Sequence, residues 1–163
     1  MRLRRASVVA KWTLLAVSLL VASCGRSPVP PRAAADDPEL KTRGTIEVTA
    51  KLVEVPEGAI FKRDLYDYAT VLKYQVLEVH RGELKGDTIF VGHYDPWKPR
   101  GEAADRRVKD VGGRLKQFRA GDVHRMALDG PIEDVFMGGI VNTYFGQDTG
   151  TIYWAAWTDP AGE

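Results

Sequence analysis

The sequence predicts a mainly β domain: a five-stranded Greek-key barrel with one short helix between its third and fourth strands. Three observations carry that expectation. Apolar and polar residues alternate with a period of two through much of residues 46–91, which marks half-buried strands. The first two runs are long and change phase part-way, as a β-bulge makes a strand do. A stretch with helical spacing then separates the third run from the fourth.

In the first strand Ile46, Val48, Ala50 and Leu52 alternate with polar residues, and after a one-residue slip Val53 and Val55 continue the pattern. The second begins near Tyr68, with Leu72, Tyr74 and Val76 on one face and Lys73 and Gln75 on the other, until Leu77 and Val79 take over the inward phase. The turn "HRGELKGD", residues 80–87, leads into the third strand at Ile89, Phe90, Val91 and His93. Beyond "YDPWKPRG", the segment "EAADRRVKDV" puts Ala104, Val108 and Val111 at helical spacing, with Gly112-Gly113 as a stop signal. "AGD" introduces a fourth strand from Val123 to Leu128, and "DTG" a fifth from Thr151 to Trp157. Residues 131–147 predict an irregular excursion with a short strand or helical turn. This is the element order of the OB-fold, which closes its own sheet edges. A flattened sandwich of the same strands is the alternative.

Ahead of this domain the chain reads as an export signal. Arg2, Arg4, Arg5 and Lys11 precede an uncharged run from Trp12 to Ser23, too short for the ~20 residues a bilayer-spanning helix needs. The run ends Val21-Ala22-Ser23-Cys24, and Cys24 is the only cysteine in the chain. That ending resembles the lipobox of bacterial lipoproteins, which implies diacylglycerol on the Cys24 sulfur and cleavage just before it. A stable anchor takes two or more acyl chains, and a mature lipoprotein carries them. Residues 1–23 are then the signal peptide, 24–43 a lipidated, Pro-rich tether, 44–159 the domain, and 160–163 a tail. With Gly25 after the cysteine, resemblance to enterobacterial sorting implies the outer membrane, facing the periplasm.

The pattern "YATVLKYQVLEVHRGELKGDTIFVGHY" followed by "FRAGDVHRMAL" resembles bacterial netrin-like and metalloproteinase-inhibitor-like OB domains over residues 68–128. It is also similar to small exported proteins of alginate-type exopolysaccharide O-acetylation. The zinc-chelating N-terminal cysteine of metalloproteinase inhibitors does not carry over, because Cys24 is acylated in this reading and lies far from the first strand.

The composition argues against familiar chemistries. From residue 24 onward 19 Lys and Arg face 22 Asp and Glu, a net charge of −3, which is no nucleic-acid-binding balance. Ser27 is the last serine, so neither a Ser-His-Asp nor a Cys-His mechanism has a nucleophile in the domain. Asp148-Thr149-Gly150 reads as a hairpin turn rather than an aspartic-protease loop, since no apolar strand leads into it. His80, His93 and His124 lack metal-ligand spacing; His93 and Asp95 alone share an i, i+2 face. No metal and no cofactor are expected.

Two regions suggest binding. Residues 98–119 carry eight Lys and Arg against three acids, a net of +5, so the rest of the mature chain sums to −8. Such asymmetry creates a field for an anionic partner; a solvated insertion is the plainer account. In "TIYWAAWTDP" Tyr153 and Trp157 fall on one face of a strand and Trp154 on the other, which fits either a partner-anchoring surface or a core covered by residues 131–147. The expectation is a non-catalytic binding or scaffold module, held to the bilayer through Cys24. Its partner is an envelope protein or anionic exopolysaccharide, reached through Trp97, Arg106, Arg107, Arg114, Lys116, Tyr153, Trp154 and Trp157. The competing classes are an accessory enzyme using Asp64, Asp67, His93 or Asp95, and a purely structural envelope lipoprotein.

Overall fold

The computed structural model describes residues 37–55, 68–141 and 149–161, which all belong to the unit Pro31–Glu163. Cys24, Asp64, Asp67 and Asp148 lie outside the described residues. A short helix α1, Pro38–Thr42, precedes β1 (Ile46–Glu54), β2 (Tyr68–Arg81) and β3 (Thr88–Tyr94). After a long crossing come β4 (Val123–Asp129), a helical turn α2 (Ile132–Val135), β5 (Gly139–Val141) and β6 (Ile152–Pro160). The chain is mainly β, as expected, with six strands in one mixed sheet.

β1 pairs antiparallel with both β2 and β4; β3 pairs antiparallel with β2 and parallel with β6; β4 pairs antiparallel with β6. The pairings therefore run in a cycle, β1-β4-β6-β3-β2 and back to β1, with β5 parallel to the start of β2 as the added sixth strand. One core cluster gathers Val48, Ala50, Leu52, Leu72, Tyr74, Val91, Met126 and Leu128 with Leu115 and Phe118 from the crossing. A second cluster gathers Val71, Tyr94, Val111, Ile132, Phe136, Ile152 and Trp154.

Both phase slips are present. The β1–β2 register shifts between Leu52 and Glu54, leaving Val53 as the extra residue, and between Thr49 and Ala50, leaving Leu77. Their consequence differs from expectation: Val53, Leu77 and Val79 are exposed rather than turned inward. A bulged residue is unpaired and need not continue the buried face.

The predicted helix over residues 102–111 is absent. The crossing holds only a 3₁₀ turn, Arg100–Glu102. Asp105 explains the break: its carboxylate accepts from the backbone N–H groups of Arg107 at 2.7 Å and Val108 at 3.0 Å, and its own N–H donates to the Val108 carbonyl at 2.9 Å. A side chain that closes such a turn competes directly with helical hydrogen bonds. Gly112-Gly113, expected as a helix stop, instead passes against β6, where the Gly112 N–H donates to Ala156 and the Thr158 N–H to Gly112, both at 3.0 Å. A Cβ on Gly113 would sit 2.0 Å from the Thr158 oxygen, and its φ is 131°. The glycine pair is there for close backbone approach.

The end of the expected tether is also folded. Asp37 caps α1, accepting from the Glu39 N–H at 2.9 Å, and Pro38 opens the helix. Leu40 is buried against Ala127 and Trp157. Arg81, from the far end of β2, donates to the carbonyls of Leu40 at 3.1 Å, Arg43 at 2.5 Å and Gly44 at 3.3 Å, and also to Lys41. One guanidinium thus satisfies the carbonyls that such a short helix leaves open.

Candidate binding cleft

Residues 107–111 of the crossing, residues 135–138 from the end of α2 onward, Tyr94 and Trp154 line an open cleft of about 520 Å³. Val108, Val111, Val135, Phe136, Met137 and Trp154 supply apolar lining, and Arg107, Lys109 and Asp110 the charge. A second hollow, lined by Asp105, Arg106 and Arg107, lies on the same stretch of the crossing. The volume falls in the ~300–1,000 Å³ range of small-ligand sites.

Phe136 stacks on Trp154 with ring centroids 4.6 Å apart and planes 12° from parallel. Each is less than a tenth exposed, Phe136 at 8% and Trp154 at 6%. Ile132 of α2 packs so close to β3 that a Cβ on Gly92 would come within 2.5 Å of it. Phe136 therefore covers Trp154, whereas Trp157 is covered by Leu40 and Arg43 instead. The covering segment exposes its own apolar tips: Val135 is 47% exposed and Met137 98%. Tyr94 donates its hydroxyl to Asp105 at 2.9 Å. Burial, then that bond, pushes the Tyr94 hydroxyl up to about 12, while the hydrogen bonds to Asp105 outweigh its burial and hold its carboxyl below the usual value. Tyr94 stays a neutral donor and Asp105 an engaged carboxylate.

The expected contact residues divide. Arg106, Arg107 and Trp154 come together at the cleft and the adjoining hollow. Lys116 is exposed on the crossing, outside the cleft lining, and Trp97 is half-buried in the turn after β3. Arg114 is committed elsewhere: its Nη2 donates to Asp159 at 2.8 Å, its Nε at 3.0 Å and its backbone N–H at 2.7 Å, with Asp37 3.4 Å away. Asp159 is fully buried and its carboxyl is raised, by burial first. Arg100, counted among the basic residues, is buried too, donating to the carbonyls of Tyr94 at 2.7 Å, Asp95 at 2.5 Å and Lys98 at 3.2 Å, and lying over the Phe118 ring. Part of the basic stretch is therefore scaffold.

Tyr153 and Trp157 do not share a face. β4 pairs Leu128 with Ala155 but Ala127 with Trp157, so Ala156 is an extra residue in β6. Tyr153 packs on the inner cluster, whereas Trp157 packs outside it with Leu40, under the Arg43 guanidinium 4.9 Å away. A bulge of one residue reverses every later side chain.

Two of the three histidines come together, around a tyrosine that the sequence did not single out. The buried Tyr74 hydroxyl lies 3.1 Å from His93 Nε2 and 3.2 Å from His124 Nδ1, and the Phe118 ring packs on both imidazoles. The three histidines do not meet, since His80 lies on the Thr49 hydroxyl at 2.8 Å. His93 and Asp95 part as well: Asp95 holds Lys98 at 2.8 Å. Among the described residues no group of three or more His, Cys, Asp or Glu is placed to hold a metal, and no helix is long and apolar enough to cross a membrane.

Comparison of the chain with protein-family models, with curated proteins and with solved structures returns no match. The functional reading therefore rests on the cleft and the sequence.

Proposed function

We propose that this chain is a lipid-anchored extracytoplasmic binding module that takes an anionic envelope partner in the cleft between Trp154, Met137 and Lys109. The cleft is the observation that carries it: a hollow of mixed lining with the exposed aliphatic side chains of Val135 and Met137 and the cations Arg107 and Lys109, next to a second hollow that Arg106 lines. Binding accounts for it better than turnover. Among the described residues no Ser, Cys or His lines it, and His93 and Asp95, two of the four enzymatic candidates, are buried.

The scaffold in this proposal is a five-stranded OB-like barrel. β4-β1-β2-β3 is the spatial order of a Greek key, and β6 between β4 and β3 completes a closed circuit of pairing, with β5 as an addition outside the five. The anchor is acylated Cys24 in the outer membrane, a reading supported by the Val-Ala-Ser-Cys ending of the uncharged run.

The test is retention of envelope components by the full chain and by a variant with Arg106, Arg107 and Lys109 changed to Glu. Arg114 is left alone because it neutralises buried Asp159. A component that the wild type retains, that salt releases and that the variant fails to retain is the expected result; equal retention by both overturns the proposal. Membrane fractionation of Cys24→Ala, expected in the soluble fraction, tests the anchor separately.

A further inference from the structure

We propose that residues 116–120 are an acid-operated flap: proton uptake by the buried Tyr74–His93–His124 cluster drives Phe118 out of its seat and uncovers the two imidazoles while the sheet stays folded. The device is independent of the cleft.

One side chain holds the flap down. Phe118 packs on His93 with ring centroids 4.6 Å apart and on His124 at 5.6 Å, and the Arg100 guanidinium lies 5.2 Å from its ring. It is buried, whereas Lys116, Gln117, Arg119 and Ala120 around it are all exposed. Among the described residues no backbone N–H of 116–120 donates to another backbone group, so the segment is pinned only at its ends. There the Leu115 N–H donates to Thr158 at 3.3 Å and the Gly121 N–H to Leu52 at 2.7 Å. Gly121 has a φ of 99° and nothing within 4 Å of where a Cβ would stand, which leaves the backbone free to turn beside that pin. A stretch with one buried contact and no ladder lies at the low-stability end of a molecule.

With the flap shut, an added proton finds no acceptor. The Tyr74 oxygen serves one nitrogen of each ring, and His93 Nδ1, His124 Nε2 and Arg100 Nε have no hydrogen-bond partner among the described residues. An imidazolium carries an N–H on both nitrogens, so each proton gained is a donor left unpaired. Nor is there a counter-charge. β2, β3 and β4 bring Tyr74, His93 and His124, the 3₁₀ turn brings Arg100, a like charge, and β1 and β6 bring Leu52, Ala155 and the phenol of Tyr153. The Asp95 carboxylate holds Lys98. Asp122, exposed just before β4, attracts a proton to His124, but burial outweighs it. Burial holds both imidazoles below their ordinary 6.5 in the closed form. Water admitted past Phe118 removes that penalty. Two rings that titrate near 6.5 when open and stay neutral when closed shift the opening equilibrium about a thousandfold between pH 8 and pH 5, and one ring alone about thirtyfold.

The experiment is hydroxyl-radical footprinting of the full chain from pH 8 to pH 5, read residue by residue by mass spectrometry. Phe118 modification is expected to rise at least about tenfold toward pH 5, more steeply than uptake of one proton allows, while Trp154 and Phe136 stay protected. His93→Gln and His124→Gln, made separately, are each expected to flatten the profile to that of one proton. Phe118 equally protected at pH 8 and pH 5 overturns the inference. Loss of protection at Phe118, Trp154 and Phe136 together, which is global unfolding, overturns it as well, and so does a rise that neither substitution alters.

Discussion

The Tyr74 hydroxyl and His93 Nε2 lie 3.1 Å apart with both side chains closed to solvent, and His124 meets the same hydroxyl from another side. One hydroxyl has one proton, so it donates to one imidazole and accepts an N–H from the other. The outer nitrogens, His93 Nδ1 and His124 Nε2, have no hydrogen-bond partner among the described residues. Burial, with Arg100 and His124 adding to it, holds His93 well below its usual 6.5, and burial brings His124 to about 4.

Acid sensitivity follows. Above pH 6.5 both imidazoles are neutral, folded or unfolded. Between 6.5 and about 4 the unfolded chain takes up protons that the folded chain refuses, so stability falls as pH falls. His124 alone contributes a loss of about 3 kcal/mol across that window, and His93 acts in the same direction. Asp105, its carboxyl held low, adds its own loss only below its ordinary 3.8. Urea midpoints measured from pH 8 to pH 4 are expected to drop steadily below 6.5; a flat profile to pH 4.5 contradicts this.

Tyr74→Phe keeps the ring and removes the group that both histidines share. It leaves buried nitrogens unsatisfied, at a cost of about 1–3 kcal/mol. Chemical denaturation reads that loss, which is expected to be smaller in a His93→Leu, His124→Leu background of the same shape.

Arg114→Met strands Asp159, a fully buried carboxylate. Because the Arg114 side chain is half exposed, a loss of about 1–3 kcal/mol in chemical denaturation is expected, less than a fully buried pair would show. Asp159→Asn in the same chain is expected to recover part of it, because a neutral amide needs no counter-ion. Equal stability of Arg114→Met and wild type would show that the pair contributes nothing.

Gly113→Ala is expected to be among the most damaging single changes, since neither its backbone angle nor the Thr158 carbonyl leaves room for a methyl group. A loss of several kcal/mol in thermal melts is expected, whereas Gly121→Ala, with nothing within 4 Å but a φ of 99°, loses only what strain costs.

The strands were legible because alternation is local. Val48, Ala50 and Leu52 or Leu72 and Tyr74 declare a buried face within a few residues, and the slips at Val53 and Leu77 were visible in the same way. The crossing was not, because its conformation is set by partners far along the chain. Asp105 takes Tyr94, Gly112 takes Ala156, and Arg114 takes Asp159. Residue spacing alone cannot distinguish that from a helix. The same limit hid the bulge at Ala156, which the alternation of β6 does not betray, and the place of Tyr74 between His93 and His124. At the cleft, Arg106, Arg107 and Trp154 were readable as types. Met137 and Val135 were not, since nothing in the sequence says which apolar residues the fold fails to cover.

The docking of α1 has a mechanical consequence. With Leu40 wedged against Ala127 and Trp157, and Arg81 gripping the carbonyls that follow, a pull on the segment before Asp37 meets the sheet at this clamp. The load spreads into β2, β4 and β6 at once instead of peeling β1 from its neighbours. The arrangement works as the strain relief where a cable enters a plug: the cord can be tugged while the connections behind it keep their register.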